Sequence, residues 1–167
     1  MIILGIDPGF EITGISVLQA KSNDLEPLYC DYIITKRNQT VDKRLKKIFV
    51  SIVDVIKQYQ PHCLAIEEIF FSVNAKSAIK VGQARGVSLL AASVNDLEIF
   101  EYTPLEVKQA IVGYGRATKK QIKFMLKNIL GKSDDFFPKK DDAWDAMALC
   151  ICHANSYKFK QKTKIEN

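Results

Sequence analysis

The chain predicts a single α/β domain built on a mixed β-sheet flanked by helices. Two short continuous apolar runs, Ile2–Ile6 and Cys63–Ile66, suit strands buried on both faces. Around them lie stretches whose apolar residues recur at helical spacing, so strands and helices interleave along the chain. The length of 167 residues, with 47% hydrophobic residues, supplies one core of ordinary size. Residues 1–156 are expected to form this domain, with 157–167 as a flexible basic tail.

The first strand, Ile2–Ile6, is punctuated by Pro8-Gly9, and Ile15, Val17 and Leu18 begin a second. Leu28–Thr35, rich in Tyr, Ile and Thr, reads as a third. The short links between these three predict an antiparallel meander. Leu45, Ile48, Phe49, Ile52, Val53 and Ile56 then fall at helical spacing, with Lys43, Arg44, Lys46 and Lys47 opposite. Cys63–Ile66 is the fourth strand and ends at Glu67-Glu68; a helix from about Asn74 to Ser93 and a strand over Leu97–Tyr102 follow. Thr103-Pro104-Leu105-Glu106 and Thr118-Lys119-Lys120-Gln121 both carry a capping-box pattern, so a helix starts at each, with Gly113-Tyr114-Gly115 as the break between them. A last helix is expected from about Asp141 to Asn155. The result is a five-stranded mixed sheet, three antiparallel strands followed by two parallel ones.

Charge is unevenly placed. Between Pro104 and Lys140 stand nine Lys or Arg and three Asp or Glu, which accounts for all the net positive charge. A polyanion such as nucleic acid suits this stretch, and so does a solvated lysine-rich helical face; charge alone does not separate them. No apolar run approaches the roughly 20 residues of a membrane span. No signal peptide is evident, so the protein is expected in the cytoplasm. Cys30, Cys63, Cys150 and Cys152 are scattered without a C-x-x-C pair, which disfavours a zinc site.

Asp7 and Glu67 each stand where an apolar strand ends, the place where ligands bind in α/β sheets. Asp142 and Asp145 are three apart on the last helix and share a face. Carboxylates gathered in this way repel one another unless a cation lies between them. With no Arg or His clustered beside them, a hard divalent ion, Mg²⁺ or Mn²⁺, is indicated. Two such ions about 3.5–4 Å apart clamp in-line attack on a phosphodiester. Taken singly, Asp7 also suits a turn before Pro8, Asp141 or Asp142 a helix cap, and Asp145 a solvated helix position.

Gly5-Ile6-Asp7-Pro8-Gly9 with Thr13-Gly14 resembles the opening of the RuvC family of Holliday junction resolvases, the crossover junction endodeoxyribonucleases. So do Ala65-Ile66-Glu67, Asn74-x-x-Ser77-Ala78, Gly82-Gln83-Ala84-Arg85-Gly86, Glu101-Tyr102, Val107-Lys108-Gln109, Val112-Gly113 and Asp142-x-x-Asp145-Ala146, collinear from Ile2 to about His153. The resemblance implies an RNase H-like fold and a homodimer. It further implies paired symmetric nicks in a four-way DNA junction, during recombination and repair, that leave 5′-phosphate and 3′-hydroxyl ends. It assigns catalysis and two Mg²⁺ per subunit (with Mn²⁺ as substitute) to Asp7, Glu67, Asp142 and Asp145. A branch-migration helicase complex of RuvA and RuvB family proteins is the implied partner.

Three positions depart from the family pattern. Asp141 stands where Ala is common, which leaves Asp141 or Asp142 open as the ligand; Glu68 doubles Glu67; and Phe10 replaces a common Ser without a mechanistic reading. For DNA contact the resemblance points to Phe70 as a base-stacking residue and to Lys108 and Lys119 near the scissile phosphate. Phe71, Lys76, Lys80, Arg85, Arg116 and Lys120 are further candidates. Ala78, Gly82 and Gly86, four apart, suit either packing on the sheet or a dimer interface. Other functions to be weighed are a phosphotransferase or ATPase half-domain, a non-catalytic junction-binding module, and an RNase H-like nuclease acting on RNA.

Overall fold

The computed structural model describes residues 1–22, 24–68 and 75–165, without the side chains of 75–77 and 158–165. Strands β1 (Ile2–Asp7), β2 (Ile12–Ala20), β3 (Leu25–Ile34), β4 (Cys63–Glu67) and β5 (Glu98–Tyr102) form one sheet in the order β3-β2-β1-β4-β5. β1 and β3 flank β2 antiparallel, while β4 pairs parallel with both β1 and β5. The five helices are α1 (Val41–Tyr59), α2 (Ala75–Ser93), α3 (Pro104–Val112), α4 (Lys119–Leu130) and α5 (Asp141–Ile165), with a 3-10 turn at Asp134–Phe136.

Alternation along the strands sends successive side chains to opposite cores. Leu4, Ile6, Leu64 and Ile66 pack with Ile48, Ile52 and Ile56 of α1 and with Ala84 and Ala91 of α2. Ile3, Cys63 and Ala65 face the other way, against Ile111, Ile122 and Leu126 of α3 and α4 and Met147 and Ile151 of α5. Full burial of side chains of this size contributes about 1.5–3 kcal/mol each. The two cores fix both layers of helices to one sheet.

Both capping boxes are present: the Thr103 and Thr118 side chains accept from the backbone of Glu106 and Gln121, whose side chains return the contact. Gly113 and Gly131 close α3 and α4 in the left-handed region, at φ 81° and 59°. β3 begins at Leu25, earlier than expected, and carries Pro27 opposite Leu18 beside a register shift. An edge strand tolerates such a proline. The last helix runs past the expected Asn155 to Ile165, because no Gly or Pro stops it and its lysines and glutamine favour helix.

Arg44, expected on the solvent side of α1, is buried. Its guanidinium donates to Thr35 Oγ1 at 2.8 Å and to the Phe10 carbonyl at 3.2 Å, and lies 4.0 Å from the Phe10 ring centroid. Phe10 is itself 4% exposed, so the aromatic at this position plugs the base of the β1–β2 turn.

The seating of α5 decides where the site forms. A Cβ on Gly5 would collide with the Ala146 carbonyl, and one on Gly14 with the Asp142 carbonyl. Ser16 Oγ donates to the Ala143 carbonyl at 3.0 Å across the same seam. Small residues on β1 and β2 thus let the α5 backbone lie directly against the sheet.

Candidate active site

β1 and β4 run parallel with Ile6 opposite Ile66, and each strand ends one residue later, at Asp7 and Glu67. The two carboxylates therefore stand side by side at one end of the sheet. By the strand's alternation they share the face of Ile3, Ala65 and α5. Glu68 belongs to the opposite side; it is exposed, and its N–H donates to the Tyr102 carbonyl at 2.8 Å. The close approach of α5 brings Asp142 and Asp145 to the same sheet end.

A cleft of about 330 Å³ opens there, lined by Asp7, Glu67, Asp145, Lys108 and Lys119, with Ile122 and Leu149 among its apolar walls. Burial drives the Asp7 carboxyl up from 3.8 to about 8, assisted by the charges of Glu67, Asp145 and Asp142 and opposed by Lys119. Burial also raises Glu67, with Asp145 adding to it while Lys119 and Lys108 oppose. Asp145 is raised by burial against the pull of Lys119. Burial alone would lower Lys119, but Asp145, Asp141 and Asp7 hold it above its ordinary value. This is a carboxylate cluster short of positive charge.

All four members are hard oxygen donors, the set that suits Mg²⁺ or Mn²⁺. As the side chains stand, no group of three or more metal-ligating residues is drawn together among the described residues. Lys119 Nζ lies 3.2 Å from Asp145 Oδ2 and 3.7 Å from Asp141 Oδ2, a cation already seated at the rim.

Asp141 and Asp142 meet different neighbours, although the charges of both act on Asp145. Asp141 Oδ1 accepts from Lys123 Nζ at 2.6 Å, which holds its carboxyl below the usual value, and Lys123 Nζ sits 5.0 Å from the Trp144 ring centroid. Asp142, not Asp141, is among the charges acting on Asp7. Lys123 escaped the sequence reading; its position four residues after Lys119, on the same helix face, was the available signal.

The capping boxes fix the starts of α3 and α4, and so aim Lys108 and Lys119 at the cleft. Arg116 and Lys120 are exposed beside it, and among the described residues Lys108, Arg116 and Lys120 make no hydrogen bond or ion pair. Lys80 is exposed, with Nζ 5.9 Å from the Phe10 ring centroid. Arg85, a candidate phosphate contact, is engaged within the chain. Its side chain is 17% exposed, its Nε donates to the Glu67 carbonyl at 3.3 Å, and its guanidinium pairs with Glu101. It braces the end of β4 from α2. Phe70, Phe71 and the side chain of Lys76 lie outside the described residues.

On α2, Ala84, Ala91 and Ala92 pack inward, whereas Gly82 and Gly86 are exposed, and a Cβ on either would meet nothing within 4 Å. Exposed Ile79, Leu90 and Val94 continue that outer face. For these two glycines, packing on the sheet is excluded; Ala78 is half-buried. No helix among the described residues is long and apolar enough to cross a membrane.

Residues 3–153 match the family model described as crossover junction endodeoxyribonuclease RuvC. A relative of that name from Desulforamulus reducens is 49% identical over 154 residues, covering 92% of this chain and 93% of its own. Another from Natranaerobius thermophilus is 46% identical over 162 residues, covering 97% and 99%. Among solved structures, RuvC of T. thermophilus in complex with a Holliday junction substrate superposes with a TM-score of 0.90 at 30% identity, covering 96% of each chain. The RNase H-like architecture expected from the motifs is thereby borne out, and the chain, with carboxylates at two strand ends facing those of its last helix, belongs to the RuvC family of crossover junction endodeoxyribonucleases.

Proposed function

We propose that this protein resolves Holliday junctions by hydrolysing one phosphodiester in each of two opposed strands, leaving 5′-phosphate and 3′-hydroxyl ends. The observation that carries the reading is the cleft in which Asp7, Glu67 and Asp145 face Lys108 and Lys119. Asp7, Glu67, Asp142 and Asp145 would hold two Mg²⁺ ions, or Mn²⁺ in their place. When bound, these supply an activated water and compensate charge at the leaving oxygen.

The protein's own groups do the rest. Asp7 gives up the proton that burial makes it retain, so that the site is fully anionic when loaded. Lys119 leaves Asp145 for the scissile phosphate, and Lys108 steadies that phosphate from α3. The apolar wall of Ile122 and Leu149 limits water to the reacting side. Arg116, Lys120 and Lys80 hold flanking phosphates, contacts that position DNA without reading sequence. Phe70 stacks on bases at the crossover, Phe71 adds a further DNA contact, and Lys76 adds a phosphate contact.

The outer face of α2 around Ala78, Gly82 and Gly86 joins two copies, which supplies the paired sites that a two-fold junction requires. Residues 1–156 carry all of this; the work is cytoplasmic, alongside a branch-migration complex of RuvA and RuvB family proteins. The test incubates purified protein with an end-labelled four-way junction and Mg²⁺, beside a linear duplex and the Asp7→Asn variant. Paired ligatable nicks in the junction alone, absent in Asp7→Asn although it still binds, are expected. Binding without cleavage by the wild type in either metal would refute the catalytic reading.

A further inference from the structure

On the opposite side of α4 from the cleft lies a groove of about 360 Å³, lined by Val112, Tyr114, Lys120, Gln121, Phe124 and Met125. α4 presents Lys119 and Ile122 to the cleft and Lys120, Gln121, Phe124 and Met125 to the groove. Phe124 is 61% and Tyr114 47% exposed. Two large aromatics with this much ring in water, lining one groove with Val112 and Met125, form a surface suited to a partner. No acidic residue lines it, and Lys120 is without a hydrogen bond or ion pair among the described residues.

We infer that this groove receives an unpaired nucleobase of the DNA strand that enters the active-site cleft, stacked on Phe124 and Tyr114 with its phosphate held by Lys120. Charge selects the occupant: the groove lies within the stretch that holds nine basic and three acidic residues between Pro104 and Lys140. A second copy seated here would set that stretch against itself, and α2 already offers another exposed face, with Ile79, Gly82, Gly86 and Leu90, for self-association. A nucleobase has the flat apolar faces the rings accept, and its backbone has the negative charge the lysine lacks. Adjacent Lys119 and Lys120 turn to the two sides of α4, so the cleft and the groove are separated by the width of this one helix. The inference rests on the reading of the chain as a junction endonuclease.

The test uses the full-length Asp7→Asn protein, which binds without cutting, and four-way junctions carrying 2-aminopurine at successive positions around the branch point. At one or more positions binding changes the fluorescence. Phe124→Ala in the same background abolishes that change and weakens the junction about 5- to 150-fold, the equivalent of roughly 1–3 kcal/mol for one stacked base. Phe124→Trp restores both. The exposure of Phe124 means that the alanine variant keeps its thermal midpoint, which is measured alongside. Unchanged affinity and fluorescence in Phe124→Ala overturns the inference while leaving the endonuclease reading intact. A changed sedimentation mass with unchanged DNA affinity overturns it in favour of an interface between copies. Failure of Asp7→Asn itself to bind any junction overturns the endonuclease reading, and the groove's assignment with it.

Discussion

Asp7→Asn is expected to stabilise the metal-free protein, by an amount that grows as pH rises from about 4 to 8. The folded carboxyl keeps its proton up to about pH 8, whereas an unfolded one loses it near 3.8. Between those values the folded state binds the extra proton, so rising pH favours the unfolded chain. At about 1.4 kcal/mol per pKa unit, the full window is worth on the order of 5 kcal/mol. That figure is a ceiling, since water entering the cleft relieves part of the penalty. The amide keeps the shape and removes the charge, so wild type and variant should be equally stable near pH 3.5, below the unfolded value. At pH 9 the variant should exceed the wild type by roughly 2–4 kcal/mol, or about 4–16 °C in midpoint at some 2–4 °C per kcal/mol for a chain of this size. Urea and thermal unfolding at pH 3.5, 7 and 9 in EDTA measure this directly. Adding Mg²⁺ at pH 9 should raise the wild type more than the variant, because only the wild type carries the full set of carboxylates. Parallel pH profiles for the two proteins, or a variant less stable at pH 9, would refute the account of Asp7 as a buried carboxyl crowded by its neighbours.

Four other substitutions probe the same architecture. Lys119→Gln should cut single-turnover junction cleavage about 100-fold by removing a cation from the reacting phosphate, while its exposed ion pairs contribute under about 1 kcal/mol to unfolding in urea. Gly14→Ala should destabilise by roughly 1–3 kcal/mol, because its Cβ forces α5 off β2 at the Asp142 carbonyl; cleavage should fall further than junction affinity. Arg85→Ala should lower the cleavage rate with little change in the salt dependence of junction binding, since Arg85 is turned onto the Glu67 carbonyl and Glu101. A phosphate contact would instead lose about one unit of slope in log Kd against log salt, and Lys120→Ala should show that loss.

The strand ends were legible because short apolar runs broken by Asp-Pro-Gly and Glu-Glu leave few alternatives to a buried strand and its carboxyl terminus. Both capping boxes were legible for a similar reason: all their partners lie within four residues. What sequence could not resolve depends on distant partners. Asp141 and Asp142 are neighbours on one helix, and the amines that pair with Asp141, Lys123 and Lys119, reach across from α4. Arg85 suits a phosphate as well as a carboxylate until Glu101 on β5 is found beside it. Arg44 looked solvated because its neighbours in sequence are lysines, yet Phe10 and Thr35 give its guanidinium a buried seat. The start of β3 was hidden by Pro27, which a central strand would reject and an edge strand accepts.

The glycine seam that seats α5 on β1 and β2 has a consequence for when the enzyme becomes dangerous. On the proposed assignment, two of the four metal-holding acids, Asp7 and Glu67, emerge early in synthesis, but the helix that completes the set begins only at Asp141. A nascent chain that has formed the sheet therefore still lacks half its carboxylates, and a chain whose last helix is made but undocked holds them away from Asp7. Competence to cut DNA is the last property the polypeptide acquires. It arrives with the closure of the whole fold, so a truncated or half-folded copy stays harmless to the chromosome.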